Sequence, residues 1–231
     1  MSSIRFDEVM RGRLAPWALD TDDGYDAENA FSASLRARIS IADLGLLVDR
    51  DVPHRAKLWV ELEVPILSGR PFVAYDGAFE LFRRGDIPSG GRGRLMVYDA
   101  VLTDGERFIV LTGRKYLTPG RILRLWSETT TMRVILRDVT HGGRVDVGTD
   151  CAVALEPPPA YDVQEPAAQR DFLRPRWLAG KVRLTPSALF NQVGSMNAAD
   201  ARWYRAPFVI SRFLWFFAAS LVRIYVFRAR A

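Results

Sequence analysis

The sequence predicts a mainly β, antiparallel domain, a barrel or strongly curved sandwich, followed by C-terminal helices. Two observations carry this expectation. Side chains alternate with a period of two in segments that recur, with turn signals between them, from Ile4 to Leu155. The alternation then stops at Pro157-Pro158-Pro159, beyond which the pattern reads as helical. The division that follows is 1–156 for an antiparallel β domain and 157–231 for a helical region packed on it, on a partner or on a membrane surface. A length of 231 residues, with 48% hydrophobic and 26% charged, suits one large all-β domain with an appendage.

The first strand spans residues 4–14, where Ile4, Phe6, Met10 and Leu14 share one side with Glu8, an acid out of place on an apolar face. The acidic stretch 16–30 reads as a surface loop. Leu35, Ala37, Ile39 and Ile41 mark a second strand, and 42–48 a single turn packed on the barrel end. Strands 56–64 and 72–82 flank a turn at 66–71, and Gly77 inside the second signals a bulge or close backbone approach. Residues 84–93 are rich in Gly, Pro and Arg and read as a loop. The strongest hairpin signal is 94–102 and 107–116 joined at Asp104-Gly105. A further pair is expected at 122–126 and 132–138, then a turn at His141-Gly142-Gly143 into a strand 144–155. Helices are expected at 160–174, 185–203 and 207–228.

Charge is concentrated at one end. The net charge is +5, and from Ala201 onward the chain carries Arg202, Arg205, Arg212, Arg223, Arg228 and Arg230 with no acid. Removing those six from 32 basic residues leaves 26 against 27 acids, so the body is nearly neutral. With no zinc-finger spacing and no Lys-rich arm, nucleic acid is not the expected partner. A basic, apolar tail on a neutral body suits an anionic surface instead. The N-terminal segment lacks the apolar run of a signal peptide, and one cysteine suits a reducing compartment. Both features point to a cytoplasmic location, with the tail allowing a peripheral position at the inner face of the membrane.

Motifs of self-sufficient catalysis are missing. No glycine-rich dinucleotide fingerprint follows a strand, and neither a P-loop nor a G-x-S-x-G elbow occurs. His54 and His141 lie far apart without ligand spacing, and Cys151 sits in an apolar run. The chain is therefore expected to work without metal, flavin or nicotinamide, and no catalytic residue is assigned. Carboxylates are the remaining resource for acid–base chemistry. Asp76 and Glu80 share a strand face about 13 Å apart, too far to act together. Either could meet Asp99, Glu8 or Glu128 across the sheet, or pair outward with Arg94, Arg114 or Lys115. The run Trp126-Ser127-Glu128-Thr129-Thr130-Thr131 sets three hydroxyls beside an aromatic wall. It reads either as a polar rung toward a buried ligand or as a connection that satisfies its own backbone.

The tail 207–227 is apolar apart from Ser211, Arg212, Ser220 and Arg223. Its uncharged run, Phe213–Val222, is shorter than the ~18–20 residues that span a bilayer, so a spanning helix is not expected. Arg212, Trp215, Phe216, Phe217 and Arg223 are the candidate contacts with a membrane or partner.

The motifs together are also familiar. His54 to Leu58, Tyr75 to Phe82, Arg94 to Tyr98, Asp104-Gly105, Gly113 to Lys115, Leu125 to Thr131 and Phe208 to Tyr225, opened by Phe6-Asp7-Glu8-Val9-Met10-Arg11-Gly12, cover residues 4–225. In this order they resemble a β-rich accessory region that accompanies bacterial cholesterol-oxidase-like glucose–methanol–choline oxidoreductases, sometimes followed by an α/β-hydrolase domain. The resemblance implies a lipocalin/calycin-like barrel and an association with sterol or other lipid metabolism. It brings no catalytic residue, because this chain lacks both the flavin fingerprint and the hydrolase elbow.

These readings converge on a non-catalytic module that handles an apolar lipid or sterol-like ligand in association with an oxidoreductase or hydrolase partner. The expected lining is Phe72, Phe79, Leu81, Met96, Tyr98, Phe108 and Trp126, with Thr129, Thr130 and Thr131 as polar contacts. One alternative is a cofactor-free isomerase, cyclase or hydrolase using a cavity carboxylate; another is a structural interaction domain. A purely apolar cavity would point to the carrier, a cavity with one buried acid to the enzyme, and a filled core to the scaffold.

Overall fold

A computed structural model describes residues 3–48, 54–120, 122–140, 176–185, 196–197 and 206–226. The alternating segments become eight strands: β1 (Ile4–Pro16), β2 (Phe31–Ile41), β3 (Arg55–Glu63), β4 (Phe72–Asp86), β5 (Arg92–Thr103), β6 (Phe108–Leu117), β7 (Thr131–Asp138) and β8 (Trp177–Leu184). Each pairs antiparallel with the next, and β8 returns to β1, so the sheet closes into an up-and-down barrel. Closure leaves no edge strand exposed. Among the described residues four helices decorate it: α1 (Thr21–Asp26), α2 (Leu44–Val48), α3 (Leu125–Thr130), preceded by a 3₁₀ turn at Ile122–Arg124, and α4 (Ala206–Tyr225).

The structure corrects three sequence expectations. The expected strand 122–126 is instead the 3₁₀ turn and the start of α3. Thr129 and Thr130 donate their hydroxyls to the carbonyls of Leu125 and Trp126 one turn back, within the short helix that this run adopts. Second, the barrel's closing strand, β8, lies beyond residue 157, in the region expected to be only helical. Its Trp177-Leu178-Ala179-Gly180 start is buried without a break, so it carries no period-two signal. Third, β4 and β5 continue into the expected loop 84–93, leaving only residues 87–91 to connect them. The expected strand 144–155 and helix 160–174 lie outside the described residues. So does nearly all of 185–203, although Asn197 forms a bridge with Arg5.

Two bulges on β4 shape the wall. Beside Gly77 the register against β3 slips, and Tyr75 and Asp76 both point outward. The second slip, against β5, lies between Glu80 and Arg83, and Phe82 there adopts a φ of 56°. A left-handed bulky residue is strained. The extra residue lets Leu81 and Phe82 both turn inward, and both are buried.

The closing seam depends on close backbone approach. A Cβ on Gly12 of β1 would lie 1.9 Å from the Lys181 carbonyl oxygen, and one on Gly180 of β8 would lie 2.1 Å from that of Arg13. Over the seam sits α1, whose Asp22 pairs with Lys181 of β8 and, at 2.7 Å, with Arg133 of β7. The hairpin β5–β6 keeps an unbroken register from Arg94↔Leu117 to Thr103↔Phe108, with Gly105 at a φ of 97° in its turn.

The connections sort the barrel into two ends. The β1–β2, β3–β4 and β5–β6 turns lie at one end, which is filled by Met10, Leu14, Leu35, Leu62, Phe72 and Leu102 among others. At the other end lie α2, the β4–β5 turn, α3 and α4.

Candidate functional site

At the end covered by α3 and α4 the lumen is not filled. A cavity of about 300 Å³ is lined by Phe6 and Glu8 of β1, Phe79 and Leu81 of β4, Met96, Lys115, Leu184, α3 and α4. Its walls are apolar except at one spot. Glu8 occupies the inward position between Phe6 and Met10, and its Oε2 accepts a hydrogen bond from the Tyr98 hydroxyl at 2.9 Å. Lys115 donates to the same oxygen at 3.0 Å. β1 and β6 are not neighbours in the barrel, so this pair crosses the lumen. The Lys115 ammonium also lies 5.2 Å from the centre of the Tyr98 ring, which in turn meets Phe79 edge-on.

The electrostatics of this cluster follow from burial. Burial first, and the Glu8 carboxylate second, push the Tyr98 hydroxyl well above its ordinary pKa, so it acts as a fixed donor. Among the described residues Glu8 and Lys115 are the charged residues of the lining, and they pair with one another.

Two helices roof the cavity. From α3, Leu125, Trp126, Thr129 and Thr130 face it. α4 lies across the mouth, with Phe213 against Phe6 and Phe217 stacked on Phe82 at 5.5 Å. Glu128 fastens the roof: its Oε2 accepts from the Tyr225 hydroxyl of α4 at 2.6 Å and from the Thr118 amide after β6 at 2.7 Å. Burial, then Glu128, pushes the Tyr225 hydroxyl upward as well.

The expected lining is assembled in part. Phe79, Leu81, Met96, Trp126, Thr129 and Thr130 line the cavity, and Tyr98 is buried against it. Phe72 points inward but belongs to the filled end, because alternation specifies the face of a strand and not the depth along the barrel. Phe108, the first residue of β6, points outward and is half exposed. Thr131 begins β7 outside the lining, and the hydroxyls of Thr129 and Thr130 are directed to their own helix and not to a ligand. On α4, Arg212, Trp215 and Arg223 face outward, whereas Phe217 lines the cavity and Phe216 packs against His54 and Phe82.

The other carboxylates do not converge. Asp76 is exposed, Glu80 pairs with Arg55 and Arg83, and Asp99 pairs with Arg114. Lys115 was expected as an outward partner, yet it shares the inward face of Ile109, Leu111 and Gly113. That alternation was the signal that could have placed it opposite Glu8. Among the described residues no three His, Cys, Asp or Glu side chains converge as metal ligands do. Comparisons with protein-family models, with curated proteins and with solved structures return no match.

Proposed function

We propose that the barrel binds one compact, neutral, largely apolar molecule that presents a single hydroxyl or carbonyl group to the Glu8–Lys115–Tyr98 cluster. The observation that carries this reading is an apolar cavity whose charged lining, among the described residues, is one ion pair of opposite charges. A ligand carboxylate would add an unpaired charge to this cavity, at a large desolvation cost. A hydroxyl or carbonyl needs only one hydrogen bond, which the cluster is built to supply. The volume lies at the lower end of the range for small-molecule sites, so the ligand is compact or partly reaches under α4. This is the chemistry of a lipid- or sterol-like molecule with one polar group, handled without metal or flavin. An unfilled lumen argues against a purely structural domain.

The test uses matched ligands. Delipidated protein is titrated with a medium-chain alcohol, the corresponding methyl ketone and the corresponding carboxylate, with Trp126 emission and native mass spectrometry as readouts. The alcohol and ketone should bind one per chain, the carboxylate at least about tenfold more weakly. Leu81→Trp, which fills the cavity, should abolish binding. Equal binding of all three by both proteins would sink the proposal.

A second reading, cofactor-free acid–base catalysis, is favoured by one observation: the cavity wall holds a buried acid, Glu8. Glu8 is not a lone acid, because Lys115 and Tyr98 both occupy its Oε2, and a substrate would have to displace one of them to reach that oxygen. Glu8→Gln distinguishes the readings. If the bound compound recovered from wild type is an isomer or hydrolysis product of that recovered from Glu8→Gln, the barrel is an enzyme. Identical compounds in both support the carrier.

A further inference from the structure

The outer side of the roof is as apolar as its inner side. Phe208, Trp215, Ala218, Val222 and Val226 follow one another at helical spacing along the solvent face of α4, with Phe208 71% and Trp215 77% exposed. The same end of the barrel exposes Leu46 on α2 and Leu123, 98% exposed, before α3. Contiguous exposed apolar surface of this kind marks an interaction site.

Arginines outnumber the acids around it, although at the same end Asp86, opposite Arg92, is exposed and Asp43, before α2, is half-buried. Arg212 and Arg223 lie on the exposed face of α4, Arg124 precedes α3, and Arg84 and Arg92 are exposed on the β4–β5 hairpin at this end. Arg84 stands directly opposite Arg94 across that hairpin, a like-charge pairing that is destabilising unless an anion faces it. α4 carries no acid, and Glu128 beneath it is engaged by Tyr225 and Thr118.

We infer that this end of the barrel docks on an anionic lipid surface, with the outer stripe of α4 at headgroup depth and the arginines on lipid phosphates. The charge selects the occupant. A second copy would set one excess of arginines against another, whereas an anionic bilayer supplies both an apolar layer and negative charge. α4 is long and apolar enough by length and composition to cross a membrane, unlike the expectation from its uncharged run. Here Phe213, Phe217 and Tyr225 hold it on the barrel, so it lies along the surface. The cavity mouth then faces the bilayer. This docking does not depend on the identity of the cavity ligand and is tested without one.

The experiment is vesicle flotation of the full chain. Vesicles are of phosphatidylcholine alone or of phosphatidylcholine mixed with phosphatidylglycerol, at low and high salt. The chain should float with the anionic vesicles, less so at high salt and weakly with the neutral ones. Trp215→Glu and the double variant Arg212→Glu/Arg223→Glu should each reduce flotation, the double variant by more than about tenfold. Both alter exposed positions, and unchanged melting of each variant establishes that the loss is one of binding. A chain that stays unbound at every composition overturns the inference, as does flotation that neither variant diminishes. Self-association that Trp215→Glu disrupts, with no flotation of the wild type, assigns the surface to a second copy and also overturns it. Bound protein that resists extraction by alkaline carbonate would mean a spanning helix and would overturn surface docking.

Discussion

Lys115 on β6 reaches across the lumen to Glu8 on β1, Nζ lying 3.0 Å from Oε2, in a pair almost wholly shielded from water. Each supplies the other with an opposite charge inside the barrel. Removing one partner takes the opposite charge from a buried ion, whereas replacing both removes the pair altogether. Lys115→Met should therefore destabilise the barrel by about 3–5 kcal/mol in urea denaturation. The double variant Glu8→Leu/Lys115→Met should recover most of that loss. A single variant as stable as wild type would mean that the pair contributes neither cost nor support.

The same residues explain what was legible beforehand. Strand faces were readable because alternation is local: Glu8 stood out among Ile4, Phe6 and Met10, and it is the acid on the cavity wall. Lys115 obeyed the same rule, but lysine on a strand is so commonly solvated that its parity carried no weight. Depth along the barrel is not readable: Phe72 and Phe79, an odd seven residues apart, both face inward only because the bulge at Tyr75 and Asp76 shifts the alternation, and they serve opposite ends. β8 has no local signal, because strand closure is a long-range event and Trp177–Gly180 is buried too continuously to alternate. The segment 122–126 is a short apolar run, Ile122, Leu123, Leu125 and Trp126 around one arginine, and such runs do not distinguish a strand from a helical turn by periodicity. The outward turn of Trp215 and the inward turn of Phe217 follow from a helix period that needs a docking partner before it has a sign.

Alkali should open the barrel through its tyrosines. Burial raises the hydroxyl pKa of Tyr98, Tyr116 and Tyr225, with Glu8 adding to the first and Glu128 to the third. A folded pKa above the unfolded one means that the folded state holds the proton more tightly. The associated stability is fully present below the unfolded value near 10 and falls as pH rises above it. Stability should thus be insensitive to these groups at neutral pH and decline above about pH 10. In a spectrophotometric titration at alkaline pH, part of the phenolate absorbance should appear only together with unfolding. Smooth titration of all seven tyrosines in a folded protein would contradict the burial described.

The seam offers a test of closure itself. Gly12→Ala forces a methyl group against the Lys181 carbonyl, where backbone and not a flexible side chain must yield. A cost of about 1–3 kcal/mol or more is expected, from overpacking at a point where β1 and β8 hold the barrel shut. Gly69, with nothing within 4 Å of its position, serves as the control and should accept alanine within about 0.5 kcal/mol. Equal melting of the two variants would remove the close approach from the account of the fold.

The roof helix presents two faces that a mutation can separate. Phe213 is buried against Phe6 and the cavity, whereas Trp215, two residues on, is exposed. Phe213→Ala removes a ring from a packed contact next to an existing void, and large-to-small changes of this kind cost about 3–5 kcal/mol where the site cannot collapse. Two conditions moderate the figure here: the cavity already gives the neighbours room, and α4 is buried at few positions. The loss should fall toward the lower end, yet clearly exceed that of Trp215→Ala, which should stay within about 0.5 kcal/mol. Deleting 206–231 goes further, exposing Phe6 and Phe82 and the cavity floor together. If α4 caps the barrel as described, that truncation should bind a hydrophobic dye and aggregate on mild heating. A truncated chain that is monomeric and melts like the full one would mean that the barrel stands without its roof, and that α4 has another place to be.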